Sequence, residues 1–256
     1  AALLGNPGVL AMIEHHALLY ADLVDPLAML RAPRGATALA RYWPYAATAE
    51  PGQVDTAATR AYTQLMSASQ GLVAEEILDA YDVRRHRRVL DVGGGDGTFL
   101  RALAQRAPRL QLGLFDLPGV AAQAEERFAT AGLGGRVTIV AGDFDRDPLP
   151  PGADLITLVR VLHDHDDERV DRLLAAAYAA LPPGGVLLVA EPMAGTQGAE
   201  RMGDAYFGLY LWAMGSGRPR TAEDLTGRLR RAGFRRPSER RTRVPLQTRV
   251  WVARRP

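Results

Sequence analysis

The sequence predicts a doubly wound α/β fold on a seven-stranded sheet, preceded by a partial N-terminal helical segment. Three observations carry this. From Arg88 onward, short β-branched runs alternate with stretches of helical periodicity, which is how successive βαβ units read. A glycine-rich turn, Gly93 to Gly97, follows the first of those runs and opens a helix. With 256 residues, 47% of them hydrophobic, the chain can bury one large core and a smaller appendage.

The elements follow in order. Residues 7–30 carry Leu10, Ile13, Ala17, Leu18, Ala21 and Val24 at helical spacing. Tyr42 to Gly52, with Pro44 and Pro51, reads as a loop. A second helix, Asp55 to Tyr81, completes a segment over residues 1–82 that reads as a lid or docking element. Residues 83–256 read as the sheet domain. Its strands are expected near 88–92, 111–115, 136–141, 153–160 and 185–190, and its helices near 97–107, 118–131, 167–181, 199–214 and 221–232. Gly233 suits the residue after a helix end, and two closing strands are expected over 234–241 and 247–253.

Composition narrows the function classes. The absence of cysteine excludes disulfides, thiolate metal sites and a cysteine nucleophile. The longest wholly apolar run, Leu173 to Leu181, is far short of the roughly 20 residues needed to span a bilayer. No secretory signal pattern is visible, so the expectation is a cytoplasmic protein. Every basic residue is arginine, and the net charge is only +2, yet between Arg228 and Pro256 the single acid is Glu239. Without interleaved aromatics or a nucleic-acid motif, that run reads as a solvated helix and edge strands, and no nucleic-acid partner is expected.

The segment Val89-Leu-Asp-Val-Gly-Gly-Gly-Asp-Gly-Thr-Phe-Leu100 sets Gly93, Gly95 and Gly97 in a strand-to-helix turn where the backbone can approach a ligand. Thr98 stands where a dinucleotide fingerprint would want its last small residue, and no Gly-Lys-Ser/Thr follows, which disfavours a phosphate-cradling loop. Asp91 ends the first strand, where a carboxylate suits a ligand that has an ammonium and lacks a pyrophosphate. Asp116 ends the second strand, where an acid in such Rossmann-like folds hydrogen-bonds a ribose hydroxyl pair. Asp143 ends the third, in reach of an adenine amino group. Three carboxylates at the C-terminal ends of three successive strands fall on the edge where this architecture binds ligands.

Asp91 to Gly97, Phe115-Asp-Leu-Pro118, Gly135-Arg-Val-Thr-Ile-Val-Ala-Gly-Asp-Phe144, Val161-Leu-His-Asp-His-Asp-Asp167 and Ala232-Gly-Phe234 resemble, in content, order and spacing, the caffeate-type and bacterial secondary-metabolite O-methyltransferases of the class I methyltransferase fold. The resemblance extends over the whole chain. It implies S-adenosyl-L-methionine as cofactor, released as S-adenosyl-L-homocysteine, held by Asp91, Gly93, Gly95, Gly97, Asp116, Leu117 and Arg160, with Asp143 and Phe144 around the adenine. No metal ion is expected.

Methyl transfer from a sulfonium is an in-line displacement, and a hydroxyl attacks well only when its proton is removed; a positioned imidazole contributes about 10²- to 10⁴-fold to such a step. His163 lies at the same sheet rim as the glycine loop, and the resemblance gives it the role of general base, with Glu191 in Val189-Ala-Glu-Pro192 orienting the ring. Asp164 reads as a helix cap and His165 as a surface or supporting residue. Two positions depart from the family. Plant relatives carry a second flanking acid where this chain has Pro219, in Gly217-Arg-Pro-Arg-Thr221, and a lysine where it has Val159.

The stretch Asp204 to Arg220 supplies Tyr206, Phe207, Tyr210, Trp212 and Met214 as apolar walls for a substrate, with helix packing as the competing use of these side chains. Together with Arg160-Val-Leu-His-Asp-His-Asp-Asp167 it is similar to the bacterial carotenoid hydroxyl methyltransferases of the hydroxyneurosporene or demethylspheroidene type, which implies a carotenoid tertiary alcohol as acceptor and peripheral membrane contact to reach it. Phenolic or polyketide acceptors form the alternative, and a catalytically silent cofactor-binding module the non-enzyme alternative. A nucleic-acid N-methyltransferase is disfavoured, because His163-Asp-His-Asp stands where Asn/Asp-Pro-Pro-aromatic is usual. The family further implies a homodimer built through an N-terminal helical domain.

Overall fold

A computed structural model describes residues 7–43 and 56–256. Four helices come first: α1 (Pro7–Asp22), α2 (Pro26–Arg31), α3 (Ala38–Tyr42) and α4 (Thr56–Ala80). The predicted helix over 7–30 is broken at Pro26, whose ring and missing N–H cannot continue a helix but suit the first turn of a new one, capped by Asp25 Oδ1 accepting from Ala28 N at 2.9 Å. The third helix has no counterpart in the sequence pattern. It starts where Thr37 Oγ1 accepts from Ala40 N and the Asp22 carboxylate accepts from the amides of Ala38 and Leu39. The loop expected over Tyr42 to Gly52 lies, from residue 44 on, outside the described residues.

The sheet comprises β1 (Arg88–Val92), β2 (Gln111–Asp116), β3 (Val137–Ala141), β4 (Leu155–Val159), β5 (Val186–Glu191), β6 (Arg235–Arg240) and β7 (Arg249–Arg254), in the order β3-β2-β1-β4-β5-β7-β6. The first five are parallel, and β7 is antiparallel to both β5 and β6. The order reverses between β1 and β4, which opens a crevice beyond their C-terminal ends. Helices α5 (Thr98–Arg106), α6 (Pro118–Thr130), α7 (Asp167–Ala180), α8 (Phe207–Met214) and α9 (Ala222–Arg231) fill the connections. The predicted helix over 199–214 begins as a π-helical turn, Arg201–Tyr206, in which Gly203 lies against the Met193 carbonyl.

Strand alternation sends side chains to both faces, and each face has its own core. Val89, Leu112, Leu114 and Leu188 pack with Phe99, Phe128 and the α4 residues Ile77 and Leu78. Leu90, Ile156, Leu158 and Leu187 pack with Val170, Leu173 and Leu229 on the other face. Both β4 and β5 are buried throughout, as central parallel strands covered on two sides should be. A third core joins Leu19, Met29, Leu39 and Trp43 to Tyr210, Leu211 and Met214. The helical layer is therefore not made from residues before 83 alone: α8 completes it, and α4 contributes to the first core and, through Tyr62, to the third.

Gly97 shows what the loop requires of its backbone. Its φ is +78°, and a Cβ there would overlap the ring of Phe128, which is 1% exposed. Gly97→Ala is expected to cost about 2–4 kcal/mol in urea unfolding. Gly95→Ala, with φ +62° but open space around the added carbon, should cost only about 1–2 kcal/mol.

Candidate active site

One cavity lies over the C-terminal ends of β1, β2 and β3 and is lined by Asp91, Gly93, Gly95, Asp116, Asp143 and Phe144. Asp91 is fully buried at the end of β1; its Oδ1 accepts from Thr157 Oγ1 at 2.6 Å, and its Oδ2 has no hydrogen-bond partner among the described residues. Burial pushes this carboxyl up to about 7, the Thr157 bond opposing and the Asp116 charge adding to the rise. Asp116 accepts from the amides of Gly95 and Leu117, each at 2.8 Å, and burial still raises it to about 6 against those bonds. Of these two neighbouring carboxylates Asp91 is fully buried and Asp116 half-buried, and among the described residues neither has an ion pair. That arrangement fits a ligand bringing a positive charge and hydroxyl donors.

Leu117 borders the same cavity, as Gly97 does not: Gly97 sits behind the turn against Phe128 and serves packing. Phe144 carries the Arg169 guanidinium over its face at 5.0 Å and meets the His165 ring edge at 5.2 Å. His165 thereby lines the cavity, and burial followed by repulsion from Arg169 lowers it to about 4, so it is neutral. Helix α4 closes the cavity from above with Tyr62, Met66 and Gln70. Arg160, with φ +58°, donates to Ser69 Oγ at 2.8 Å and Gln70 Oε1 at 3.2 Å, and borders this cavity and the next.

His163 and Glu191 meet as the sequence implies, and Asp164 joins them. Glu191 Oε1 accepts from the amides of Val161 (2.9 Å) and Leu162 (2.7 Å), while its Oε2 accepts from His163 Nδ1. On the other side, His163 Nε2 lies 3.2 Å from Asp164 Oδ1. Asp164 therefore faces the imidazole and does not cap α7. Burial disfavours the imidazolium, but the charges of Asp164 and Glu191 outweigh it and raise His163 to about 10. The group is a cation at neutral pH. Asp164, buried beside that cation, is held below the usual carboxylate range.

The late loop with Pro219 contributes a clamp instead of an acid. Arg218 N donates to the His163 carbonyl at 3.0 Å, Ser216 Oγ to the Asp164 carbonyl, and Arg220 to the carbonyls of Leu162 and His165. A Cβ on Gly217, φ +74°, would strike the His163 carbonyl. Arg218 and Arg220 also pair with Asp167, but the contacts that hold residues 162–165 all go to backbone carbonyls, which residue type does not announce.

A second, more apolar cavity meets the first at Arg160, His163 and Asp164. Of the predicted substrate residues, Tyr206, Phe207, Tyr210 and Met214 line it. Trp212 does not: on the helix it points away, and its ring receives the Arg34 guanidinium at 5.2 Å. The opposite wall comes from residues that the sequence does not mark as substrate walls, including Met12, Ile13 and His16 of α1 and Leu72 of α4. His16 stacks on Tyr206 at 5.7 Å between ring centroids. The apolar periodicity of α1 announced a helix without telling which stripe faces a ligand. Among the described residues no group of three or more His, Asp or Glu is placed to hold a metal ion.

Comparison with known proteins gives this geometry a family. A demethylspheroidene O-methyltransferase from Rhodobacter capsulatus is 46% identical over all of this chain, which spans 63% of that relative. One from Cereibacter sphaeroides is 48% identical over 91% of this chain and 61% of its own length. The crystal structure of an O-methyltransferase from neocarzinostatin biosynthesis, in complex with S-adenosyl-L-homocysteine and 1,4-dihydroxy-2-naphthoic acid, superposes on 77% of this chain and 58% of that one, with a TM-score of 0.68 and 32% identity. The profile described as the O-methyltransferase domain matches residues 28–235, and the chain belongs to that family.

Proposed function

We propose that this chain is an S-adenosyl-L-methionine-dependent O-methyltransferase whose acceptor is an aliphatic hydroxyl on a long apolar molecule, a carotenoid tertiary alcohol. The observation that carries this is the meeting of a carboxylate-lined cavity and an apolar groove at one buried imidazole, His163. Asp91 would hold the ammonium of the cofactor, Asp116 its ribose hydroxyls, and Asp143 with Phe144 its adenine. Arg160, which has no ion pair with a described residue, adds a cation at the mouth between the cavities. When bound, S-adenosyl-L-methionine supplies an electrophilic methyl group on a sulfonium.

The chain's own part is to place the acceptor and take its proton. Tyr206, Phe207, Tyr210 and Met214 exclude water from the groove and lead a hydroxyl to the Nε2 side of His163. Glu191 fixes the ring through Nδ1, so Nε2 is the proton-accepting atom in the neutral form. An imidazole raised to about 10 is a stronger base than an ordinary histidine. An aliphatic alcohol needs that strength, since it holds its proton about as tightly as water, pKa about 15.7. A phenol, near pKa 10, does not. The phenolic reading keeps its support from the naphthoic phenol bound by the neocarzinostatin-pathway relative. Presenting the protein with both acceptor classes and following the methylated product by mass spectrometry decides between them.

His163→Ala is expected to reduce kcat about 10²- to 10⁴-fold with little change in cofactor affinity. Because the base must be unprotonated, kcat/KM should rise with pH from neutrality toward about 10, and Asp164→Asn should move that ascending limb to lower pH by weakening the imidazolium. An unchanged limb in Asp164→Asn would remove Asp164 from the scheme.

Asp91 gives a separate expectation. Its carboxyl is neutral below about 7, and a cationic ligand needs it ionised. For one such group, S-adenosyl-L-methionine should bind about tenfold more weakly at pH 6 than at pH 8 by calorimetry. Asp91→Asn should bind more weakly at both pH values and lose the dependence.

A further inference from the structure

Helix α1 carries two adjacent histidines with different surroundings. His16 lines the apolar groove, whereas His15, 7% exposed, does not: it is buried where α1 meets α3 and α8. Its ring lies 4.9 Å from that of Tyr42, and its Nε2 is 2.8 Å from the Tyr210 hydroxyl. The core that Tyr210 joins is otherwise made of apolar chains such as Leu19, Leu39 and Leu211. A histidine in such a place costs free energy unless its polar atoms are used, and Nδ1 is not: it is buried with no hydrogen-bond partner among the described residues. Burial, then repulsion from His16, lowers His15 to about 4, so the ring is neutral and carries one N–H. On Nδ1 that hydrogen would be a buried donor with nothing to receive it; on Nε2 it donates to Tyr210 Oη. The bond to Tyr210 is what histidine adds here over phenylalanine.

Tyr210 is equally buried and lines the groove. Its ring is stacked on Phe207, 17° from parallel with the centroids 6.0 Å apart, and the Phe207 ring lies 5.2 Å from that of His163. With its hydroxyl tied to α1, Tyr210 cannot swing without breaking a buried hydrogen bond, and Phe207, stacked on it, keeps its place against the imidazole. The bond thus carries the position of α1 to the groove wall beside the base.

We infer that His15 is a positioning residue for methyl transfer: through the Tyr210 hydroxyl it holds the stacked Tyr210 and Phe207 rings that set the acceptor-facing wall next to His163. The consequence for the acceptor rests on the methyltransferase reading above; the hold on Tyr210 does not.

Two readouts test this. In the chain labelled with 3-fluorotyrosine, the fluorine resonance of Tyr210, identified by its loss in Tyr210→Phe, is expected to be a single line that shifts or broadens in His15→Phe. It should return in His15→Gln, whose amide N–H can donate from near the Nε2 position. In turnover of a detergent-dispersed carotenoid tertiary alcohol, or of a naphthol if only that is methylated, His15→Phe should raise KM for the acceptor about three- to tenfold. Its kcat, and its calorimetric affinity for S-adenosyl-L-methionine, should stay within about twofold, and His15→Gln should recover most of the KM. Tyr210→Phe removes the same bond from the other side, so the double variant His15→Phe/Tyr210→Phe should be no worse than Tyr210→Phe alone. A contact that only joins two helices would lower the melting temperature and leave KM and the resonance of the folded protein as they were. That result, or additive effects in the double variant, would overturn the inference. Should His15→Phe fail to fold, a wild-type KM in Tyr210→Phe overturns it equally. A moved fluorine resonance with no methylated product from either acceptor would keep the hold on Tyr210 and remove the methyltransferase reading; turnover with an unmoved resonance and unchanged KM would do the reverse.

Discussion

The buried carboxylate of Glu191 is the constraint on which the site depends. It ends β5, 4% exposed, and spends one oxygen on the two amides that turn the chain away from β4 and the other on His163. A carboxylate so placed is tolerable only because three donors converge on it. The parallel register of β4 and β5 makes that convergence, aligning Val159 with Ala190, and Arg160 N continues the ladder to the Ala190 carbonyl at 2.8 Å. A slip of one residue would send Glu191 to the opposite face and leave the imidazole unpaired. Sheet pairing and proton chemistry are the same requirement here.

Once Glu191 is fixed, the departure at Pro219 is explained by what surrounds it. The imidazole has a carboxylate on each nitrogen, but the second comes from its own chain neighbour, Asp164. A neighbour in sequence reaches Nε2 only if the backbone turns sharply, and the turn is held by donors from Ser216, Arg218 and Arg220 to the carbonyls of Leu162, His163, Asp164 and His165. Arg160, in the left-handed region that only some residues tolerate, starts the turn. The late loop has exchanged an acid for a clamp.

What the sequence made legible follows from periodicity and position. Strands and their edge were readable because β-branched runs and turn residues recur with the βαβ spacing, and Asp91, Asp116 and Asp143 inherit their place from the strands that precede them. Helix facing was not. Trp212 and Tyr210 are equally plausible groove residues in a wholly apolar stretch, and only packing against α1 and α3 decides that Tyr210 looks inward and Trp212 toward Arg34. Gly97 was read with Gly93 and Gly95 because the motif groups them, although its neighbour is Phe128, on a helix that begins some twenty residues later in the chain. Local sequence offers Asp164 as a helix cap, and a long-range clamp turns it toward the imidazole instead. Contacts to backbone leave no mark in residue type, which is why the role of Arg220 was invisible.

The two ends of the cofactor cavity are electrostatic opposites, and the difference gives the site an order of events. At one end Asp91 and Asp116 are raised by burial and favour a cation; at the other, Asp164 and Glu191 keep a cation on His163. A positively charged ligand settling on the first end is attracted there and repels the imidazolium at the second. On the proposed function its arrival would lower the affinity of His163 for its proton, so that the imidazole would become available as a base only with the cofactor in place. A cofactor that gives up its methyl group loses the sulfonium charge, and on the same reading His163 would then hold the acceptor's proton without that repulsion. A histidine held too basic to work alone is thus suited to working only in company, a coupling that follows from charge placement and needs no movement of the sheet.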